Sequence, residues 1–189
     1  MSKETVTFYY EWLPLDKKEF RILAMLADRG EYHGTLSPLC DYFSVSCQTR
    51  NRDRLRNSIQ ELKANGFIEA ELNGWTYTLR AVPKAQRIEM DRGLFESIKS
   101  RNYATAGVAW EQVLKLYLWI VQHESQEIVT NREIAEALNT SESTVCAAKN
   151  VLQYEYEAIA KHRVSAKYGD SFRSLGQIIE ASAWWNTAG

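Results

Sequence analysis

The sequence predicts an α+β fold that is mainly helical with small β-hairpins, built as two helix-and-hairpin modules in tandem. Two observations in the 189 residues predict it. Residues 55 to 79 combine a helical apolar spacing with a short alternating hairpin pattern. Residues 130 to 178 repeat that order with two helices and a longer alternating stretch. We therefore expect an N-terminal module at residues 1–82, an ordered connector at 83–105 and a C-terminal module at 106–189.

The first module begins with two predicted helices. Asp16, followed three residues later by Glu19, forms a capping-box pattern, and Gly30 is a residue that ends helices. Ser37 followed by Pro38 predicts the start of a second, short helix, with serine as the N-cap and proline at the first helical position. These signals are local, and they place both helices before residue 44.

A third helix is expected from about residue 51 to 65. Leu55, Ile59 and Leu62 recur at helical spacing and would line its buried side, and Gly66 would end it. The outward side is then rich in cations and amides. Asparagine and glutamine can read base edges, and arginine and lysine can bind phosphates, which makes this side a candidate DNA-binding surface. Its candidate residues are Arg50, Asn51, Arg52, Arg54, Arg56, Asn57, Gln60 and Lys63.

A hairpin follows this helix. Residues 68–72 and 75–79 alternate around Asn73-Gly74, a pair that predicts a type I′ turn because both central positions then need a positive φ. Trp75 follows the turn, and we expect it to pack on the helix because burial is the common fate of a strand tryptophan.

The connector and the second module have signals of their own. Pro83 and Gly93 lie among apolar residues, which predicts an ordered, partly helical connector. Thr130 with Glu133 forms a second capping box, Ala135 is small enough for close helix packing, and Thr140 or Ser141 would cap the following helix. Alternation between residues 159 and 178 predicts a second hairpin.

The charge of the chain is segregated. The net charge is −1, yet residues 44–68 hold five basic and two acidic side chains. Residues 130–156 hold two basic and four acidic ones, so the second module is the less suited to phosphate. Its candidate DNA contacts are Ser143, Lys149, Asn150, Lys161 and Arg163. DNA contact and a homodimer or partner-docking role both stay open for this module.

Other function classes find no support in the motifs. The three histidines lie in unrelated contexts, and no phosphate-binding glycine loop is present, so we expect neither an enzyme nor a cofactor. The three cysteines form no C-x-x-C pair, so no metal site is expected. No apolar run is long enough to cross a membrane, and no secretory signal pattern begins the chain. We expect a cytoplasmic protein without a membrane partner.

These residues resemble a known family. The basic helix ending in Asn65-Gly66-Phe67-Ile68 and its hairpin resemble the recognition helix and wing of winged helix-turn-helix domains, and residues 134–152 resemble the helix-turn-helix of bacterial regulators. The resemblance implies a tandem winged-helix protein that binds double-stranded DNA, similar to replication initiators and replisome organisers of plasmids, phages and mobile elements, or to transcriptional regulators. The alternative is a protein-docking tandem winged-helix subunit of a chromosome-organising, condensin-type complex.

Overall fold

The structure, a computed structural model, describes residues 4–123, 128–168 and 171–182. It divides into two compact units. The 15–85 unit is the continuous segment Leu15–Ala85, and the split unit combines the described residues of Met1–Pro14 with those of Gln86–Gly189. Helices and small antiparallel sheets make up both units, so the predicted α+β class is confirmed.

The elements of the described residues are numbered in chain order. The helices are α1 (Lys17–Arg29), α2 (Leu36–Tyr42), α3 (Thr49–Ala64), α4 (Arg92–Ser100), α5 (Trp110–Gln122), α6 (Asn131–Ala137) and α7 (Glu142–Tyr154). The strands are β1 (Thr5–Tyr9), β2 (Glu31–Gly34), β3 (Ile68–Asn73), β4 (Thr76–Ala81), β5 (Arg87–Asp91), β6 (Ile159–Tyr168) and β7 (Ser171–Ala181).

Helix α1 begins and ends where its local signals predict. The Asp16 carboxylate accepts hydrogen bonds from the backbone N–H groups of Lys18 and Glu19, at 2.6 and 2.9 Å, and the Glu19 carboxylate accepts one from the Asp16 N–H. This capping box satisfies donors that the first helical turn leaves open. Gly30 ends the helix at φ +82°, a conformation that glycine adopts without strain.

The segment between α1 and α3 differs from the prediction in two ways. Residues Glu31–Gly34 form β2, which pairs with β4 far along the chain and buries Tyr32. Helix α2 begins at Leu36 after Thr35, so Ser37 is not its N-cap and Pro38 is its third residue. Proline is tolerated there because backbone N–H groups in the first helical turn have no partner within the helix.

Helix α3 carries the buried stripe that its spacing predicts. Leu55, Ile59 and Leu62 are buried, and Ser58 is buried with them. The helix begins two residues earlier and ends one residue earlier than expected, with Asn65 at its C-cap. It packs against α1, α2 and β3, so its opposite side is left to solvent.

The hairpin β3–β4 forms, but its turn is not the predicted one. Asn73 pairs with Thr76, so the two loop residues are Gly74 and Trp75. Gly74 has φ +61°, and neither Asn73 nor Trp75 has a positive φ, which is the pattern of a type II′ turn with glycine at its first central position. The type I′ prediction is therefore wrong. The packing expected of Trp75 is wrong as well, because its side chain is 79% exposed.

The split unit joins the start of the chain to its second half. Strand β1 pairs antiparallel with β5 over five residue pairs, and Thr7 and Arg87 in these strands are 80 positions apart. Phe8 and Ile88 of these strands are buried. This division differs from the predicted boundaries at 82 and 105. Strand pairing draws the first residues away from the N-terminal module, and β5 and α4 belong to the split unit instead of forming a separate connector.

Helices α6 and α7 follow the predicted order. Thr130 and Glu133 form the second capping box, and the Ser141 hydroxyl accepts from the Thr144 N–H to cap α7. Ala135 is buried, and so are Ile134, Val145, Val151 and Leu152. Helix α7 packs against α5 and α6, so these residues belong to the core of the split unit.

The second predicted hairpin is β6–β7. Its strands pair from Ile159 with Ala181 to Tyr168 with Ser171, with a register shift between Val164 and Ser165. Gly176 has φ +146°, and a Cβ there would lie 2.8 Å from the Val129 carbonyl oxygen, so this position requires glycine. Residues 169–170 and 183–189 lie outside the described residues.

Candidate nucleic-acid interface

The outward side of α3 presents unpaired cations. Arg50, Arg52 and Arg54 are exposed, and among the described residues no carboxylate lies within 4.0 Å of their guanidinium groups. Arg56 differs, because its Nη1 lies 2.7 Å from Asp53 Oδ1 in an i,i+3 ion pair. Three arginines are therefore available to an anion without first breaking an ion pair.

A groove separates this side of α3 from the wing, the hairpin β3–β4. Its volume is about 330 Å³. Arg52 and Arg56 line it from α3, and Trp75 lines it from the turn of the wing. The remaining lining residues are Thr35, Leu36, Ser37, Cys47, Leu72, Gly74 and Tyr77. We call this the wing groove. Its lining therefore combines cationic side chains from α3 with aromatic side chains from the wing.

A second groove lies on the other side of α3, where Arg54 points. Its volume is about 240 Å³, and Lys17, Lys18 and Arg21 of α1 line it together with Arg54. Arg21 Nη1 donates to the Phe43 carbonyl oxygen at 3.2 Å, which holds α1 to the end of α2. Sequence reasoning missed Lys17 and Lys18 as site residues. Their only local signal was that of a helix start, and the packing of α1 on α3 brings them beside Arg54.

Two predicted contacts on α3 also bond within the fold. The Asn51 side chain donates to the Ser46 carbonyl oxygen at 2.8 Å and to its hydroxyl at 3.1 Å, so it orders the loop before α3. Lys63 Nζ donates to the Ala70 carbonyl oxygen at 2.8 Å and joins the helix to β3. Both residues stay predicted DNA contacts. Asn57 and Gln60 are exposed, as a base-reading role requires.

The acidic residues of α3 do not neutralise the positive charge of this surface. Glu61 lies beside Glu19 of α1, where burial raises the pKa of Glu19 and the negative charges of Asp16 and Glu61 raise it further. Glu61 therefore faces another carboxylate, and Asp53 is occupied by Arg56. The first half of α3 remains positive at neutral pH.

Cys47 lines the wing groove, and Cys40 is buried next to it. Burial and a hydrogen bond to Cys47 together raise the pKa of Cys40 to about 11. Both cysteines are free. Cys40 therefore adds no negative charge next to Arg52 at neutral pH.

The candidate residues of the split unit are mostly committed to other contacts. Lys149 is buried, its Nζ donates to Asn131 Oδ1 and to Gln177 Oε1, and burial lowers its pKa. Its assignment as a DNA contact is therefore corrected, because a phosphate cannot reach it without breaking this network. Lys161 Nζ lies 3.4 Å from Asn150 Oδ1, so these two candidates contact each other.

An open groove of about 460 Å³ lies beside this network. Lys161 and Arg163 line it, but Glu142 lines it as well. Ser143 is exposed at the start of α7, and its hydroxyl lies 2.9 Å from that of Ser141. The structure brings Lys161 and Arg163 of β6 together, yet it places the Glu142 carboxylate with them. This surface is less suited to phosphate than the face of α3.

Comparison with protein-family models finds no match, and a search of curated proteins finds none either. Among the described residues, no helix combines the length and apolarity needed to cross a membrane. Within the same part of the chain, no group of three or more histidine, cysteine or acidic side chains could hold a metal ion. The function is therefore inferred from the geometry of the site.

Proposed function

We propose that this chain binds double-stranded DNA through the 15–85 unit, with α3 in the major groove. The observation that carries the proposal is that three exposed arginines of α3, Arg50, Arg52 and Arg54, lie around its solvent side without acidic partners among the described residues. Exposed cations that lack partners are suited to the phosphate backbone, which supplies most of the affinity of DNA-binding proteins.

The architecture supports the same proposal. Helices α1, α2 and α3 with the sheet β2-β4-β3 follow the element order of a winged helix-turn-helix, in which the third helix enters the groove and the hairpin is the wing. Asn57 and Gln60 lie on the exposed side of α3, where their amides can reach base edges. Arg50, Arg52 and Arg54 then serve as phosphate contacts that set the register.

The split unit makes a weaker case for DNA. Helices α5 to α7 and the hairpin β6–β7 have the order of a second winged helix, yet Lys149 is buried and Glu142 lines the groove beside Lys161. We propose that this unit serves mainly for self-association or partner docking, with Lys161 and Arg163 as auxiliary DNA contacts. The 15–85 unit would then supply most of the affinity.

The biological role follows from the resemblance. Replication initiators, replisome organisers and transcriptional regulators of bacterial mobile elements use such modules in the cytoplasm, and we propose a role of this kind. The alternative is a docking subunit of a chromosome-organising complex. The exposed Leu72 and Trp75 at the wing are the observation that favours it, because exposed apolar side chains are typical of protein interfaces.

Fluorescence anisotropy with a labelled duplex across a salt series tests the proposal. We expect wild-type affinity to fall steeply with salt, and Arg52→Ala with Arg54→Ala to lower the log–log slope by roughly 0.9 for each phosphate that is no longer neutralised. Arg87→Ala with Arg132→Ala removes the same charge from exposed positions of the split unit and is the matched control. Equal slopes in both double variants would contradict the proposal, as would a wild type that binds no duplex.

A further inference from the structure

The wing tip exposes two large apolar side chains that the fold does not use. Trp75 is 79% exposed and Leu72 is 58% exposed, the highest values among the large apolar side chains described in the 15–85 unit. The turn itself needs glycine at position 74, where φ is +61°, but nothing in a type II′ turn calls for tryptophan at the next position. An indole in water is therefore available to a ligand.

The surroundings of Trp75 favour a nucleic acid as that ligand. Trp75 lines the wing groove together with Arg52 and Arg56, so the flat apolar ring and the two guanidinium groups border one concave surface. Nucleic acids combine a negatively charged backbone with flat bases, and proteins that bind single strands combine a cationic groove with aromatic side chains in this way. An apolar peptide would leave Arg52 without a partner.

The charge of the wing argues against insertion into an intact minor groove. Proteins that read the minor groove use arginine, lysine, asparagine or glutamine side chains, and of these the tip from Leu72 to Thr76 holds Asn73 and no cation. Glu69 and Glu71 are exposed along β3 and would repel the flanking phosphates. Arg80, at the opposite end of the hairpin, is ion-paired with Glu31 at 2.8 Å. The tip provides an aromatic ring that can stack on a base, but it provides no cation that could bind a phosphate.

We infer that Trp75 stacks on an unpaired base next to the duplex that α3 binds. The substrate class is then DNA with a junction between duplex and single strand, such as a fork or a bubble, in preference to fully paired duplex. This inference rests on the proposed function, since α3 must hold the duplex for the wing to meet the unpaired base. Arg52, which has no acidic partner among the described residues, would bind the backbone beside that base.

The test compares two DNA substrates of equal length and charge, one fully paired and one forked, with 2-aminopurine at the first unpaired position. We expect the full chain to bind the fork roughly tenfold more tightly, the size of effect that one base-aromatic stack produces. Trp75→Ala should remove this preference, because it weakens binding to the fork more than binding to the paired duplex. Trp75→Phe should keep most of it, because phenylalanine also stacks. The fluorescence of 2-aminopurine should fall on binding to wild type and not on binding to Trp75→Ala.

Tyr154→Ala is the matched control, because Tyr154 is 71% exposed but belongs to the split unit and does not line the wing groove. It should leave the fork preference intact. The preference should also persist across the salt series, since stacking releases no counterions, whereas Arg52→Ala with Arg54→Ala should change the salt slope on both substrates.

The outcomes separate the inference from the proposed function. Equal wild-type affinity for fork and duplex overturns the inference and leaves duplex binding in place. An equal loss on both substrates in Trp75→Ala also overturns it, because Trp75 would then contact paired DNA. If the wild type binds neither substrate, the proposed function itself fails. If the wing binds a protein instead of an unpaired base, the wild type should bind fork and duplex equally, which overturns the inference.

Discussion

Side chains of the same type have different roles in this molecule because their partners differ. Arg52 lies on α3 and Lys149 lies on α7, the helix in the corresponding position of the second predicted module. Arg52 is exposed, whereas Lys149 is buried between two side-chain amides. Asn57 is exposed, and the Asn51 amide is bonded to the backbone of Ser46. A polar residue on a candidate recognition helix is available to DNA only where the fold leaves its polar atoms without a closer partner.

Lys149→Ala should destabilise the split unit without weakening DNA binding. The substitution removes the donor to Gln177 Oε1 and one donor to Asn131, and an unsatisfied buried polar group costs about 1–3 kcal/mol. Urea denaturation measures the loss, and anisotropy on the folded variant measures the affinity. Asn150→Ala, at an exposed neighbour on the same helix, is the control. Normal stability together with weaker DNA binding in Lys149→Ala would show that Lys149 contacts DNA after all.

The bounds of a single helix or hairpin depend mainly on the residues at its ends. The capping boxes at Asp16 and Thr130 begin their helices where the sequence predicts, because each box satisfies backbone donors within a four-residue segment. The wing turn was predicted one residue too early and with the wrong type. The pairing of Asn73 with Thr76 moves the loop on by one residue, and that register depends on how β4 also pairs with β2.

Gly74→Val should weaken the wing. A β-branched residue at φ +61° is strained by on the order of 1–3 kcal/mol, and no atom lies within 4 Å of the place that a Cβ would take, so the strain arises from the backbone alone. Thermal denaturation should show a lower melting temperature for Gly74→Val than for Gly74→Asn, since asparagine tolerates positive φ. Equal melting temperatures for the two variants would argue against a tight turn at this glycine.

The capping box of α6 should stabilise the split unit only above acidic pH. Hydrogen bonds from the Thr130 backbone and hydroxyl lower the pKa of Glu133 below 4.5. A carboxyl whose pKa is lowered on folding contributes stability above its unfolded pKa and loses it as the pH falls through the folded value.

Glu133→Ala should therefore lower the melting temperature at neutral pH, and the difference from wild type should shrink as the pH falls through the folded-state pKa of Glu133, because the wild type then loses the carboxylate too. Glu136→Ala, on the same helix but outside the box, is the control. A difference that is constant with pH would mean that the carboxylate does not cap the helix.

The molecule as a whole is divided by strand pairing. Strand β1 completes a sheet with β5, and it carries Val6 and Phe8 into the core of the split unit, where Trp12 is buried as well. The 15–85 unit therefore has neither end of the chain within it. Each unit has a buried core of its own, so we expect separable stabilities.

Deletion of residues 1–14 tests this division. The split unit should lose stability, because β5 becomes an unpaired edge and several buried apolar side chains are removed, while the 15–85 unit should stay folded and keep its affinity for duplex DNA. Hydrogen exchange should show faster exchange in Arg87–Asp91 and unchanged protection in Thr49–Ala64. Equal loss of protection in both segments would show that the two units unfold as one.

The sequence by itself determined the helices, both hairpins, the core stripe of α3 and the basic charge of residues 44–68. These depend on spacing, caps and turn residues within about fifteen positions, where propensity and periodicity act. Only the tertiary structure decided that β1 belongs with β5, that Trp75 is exposed, that Lys149 is buried and that Lys17 and Lys18 lie beside Arg54. Those facts depend on contacts between distant segments. A long polar side chain takes its partner from whatever packing brings within reach, and no local pattern encodes that choice.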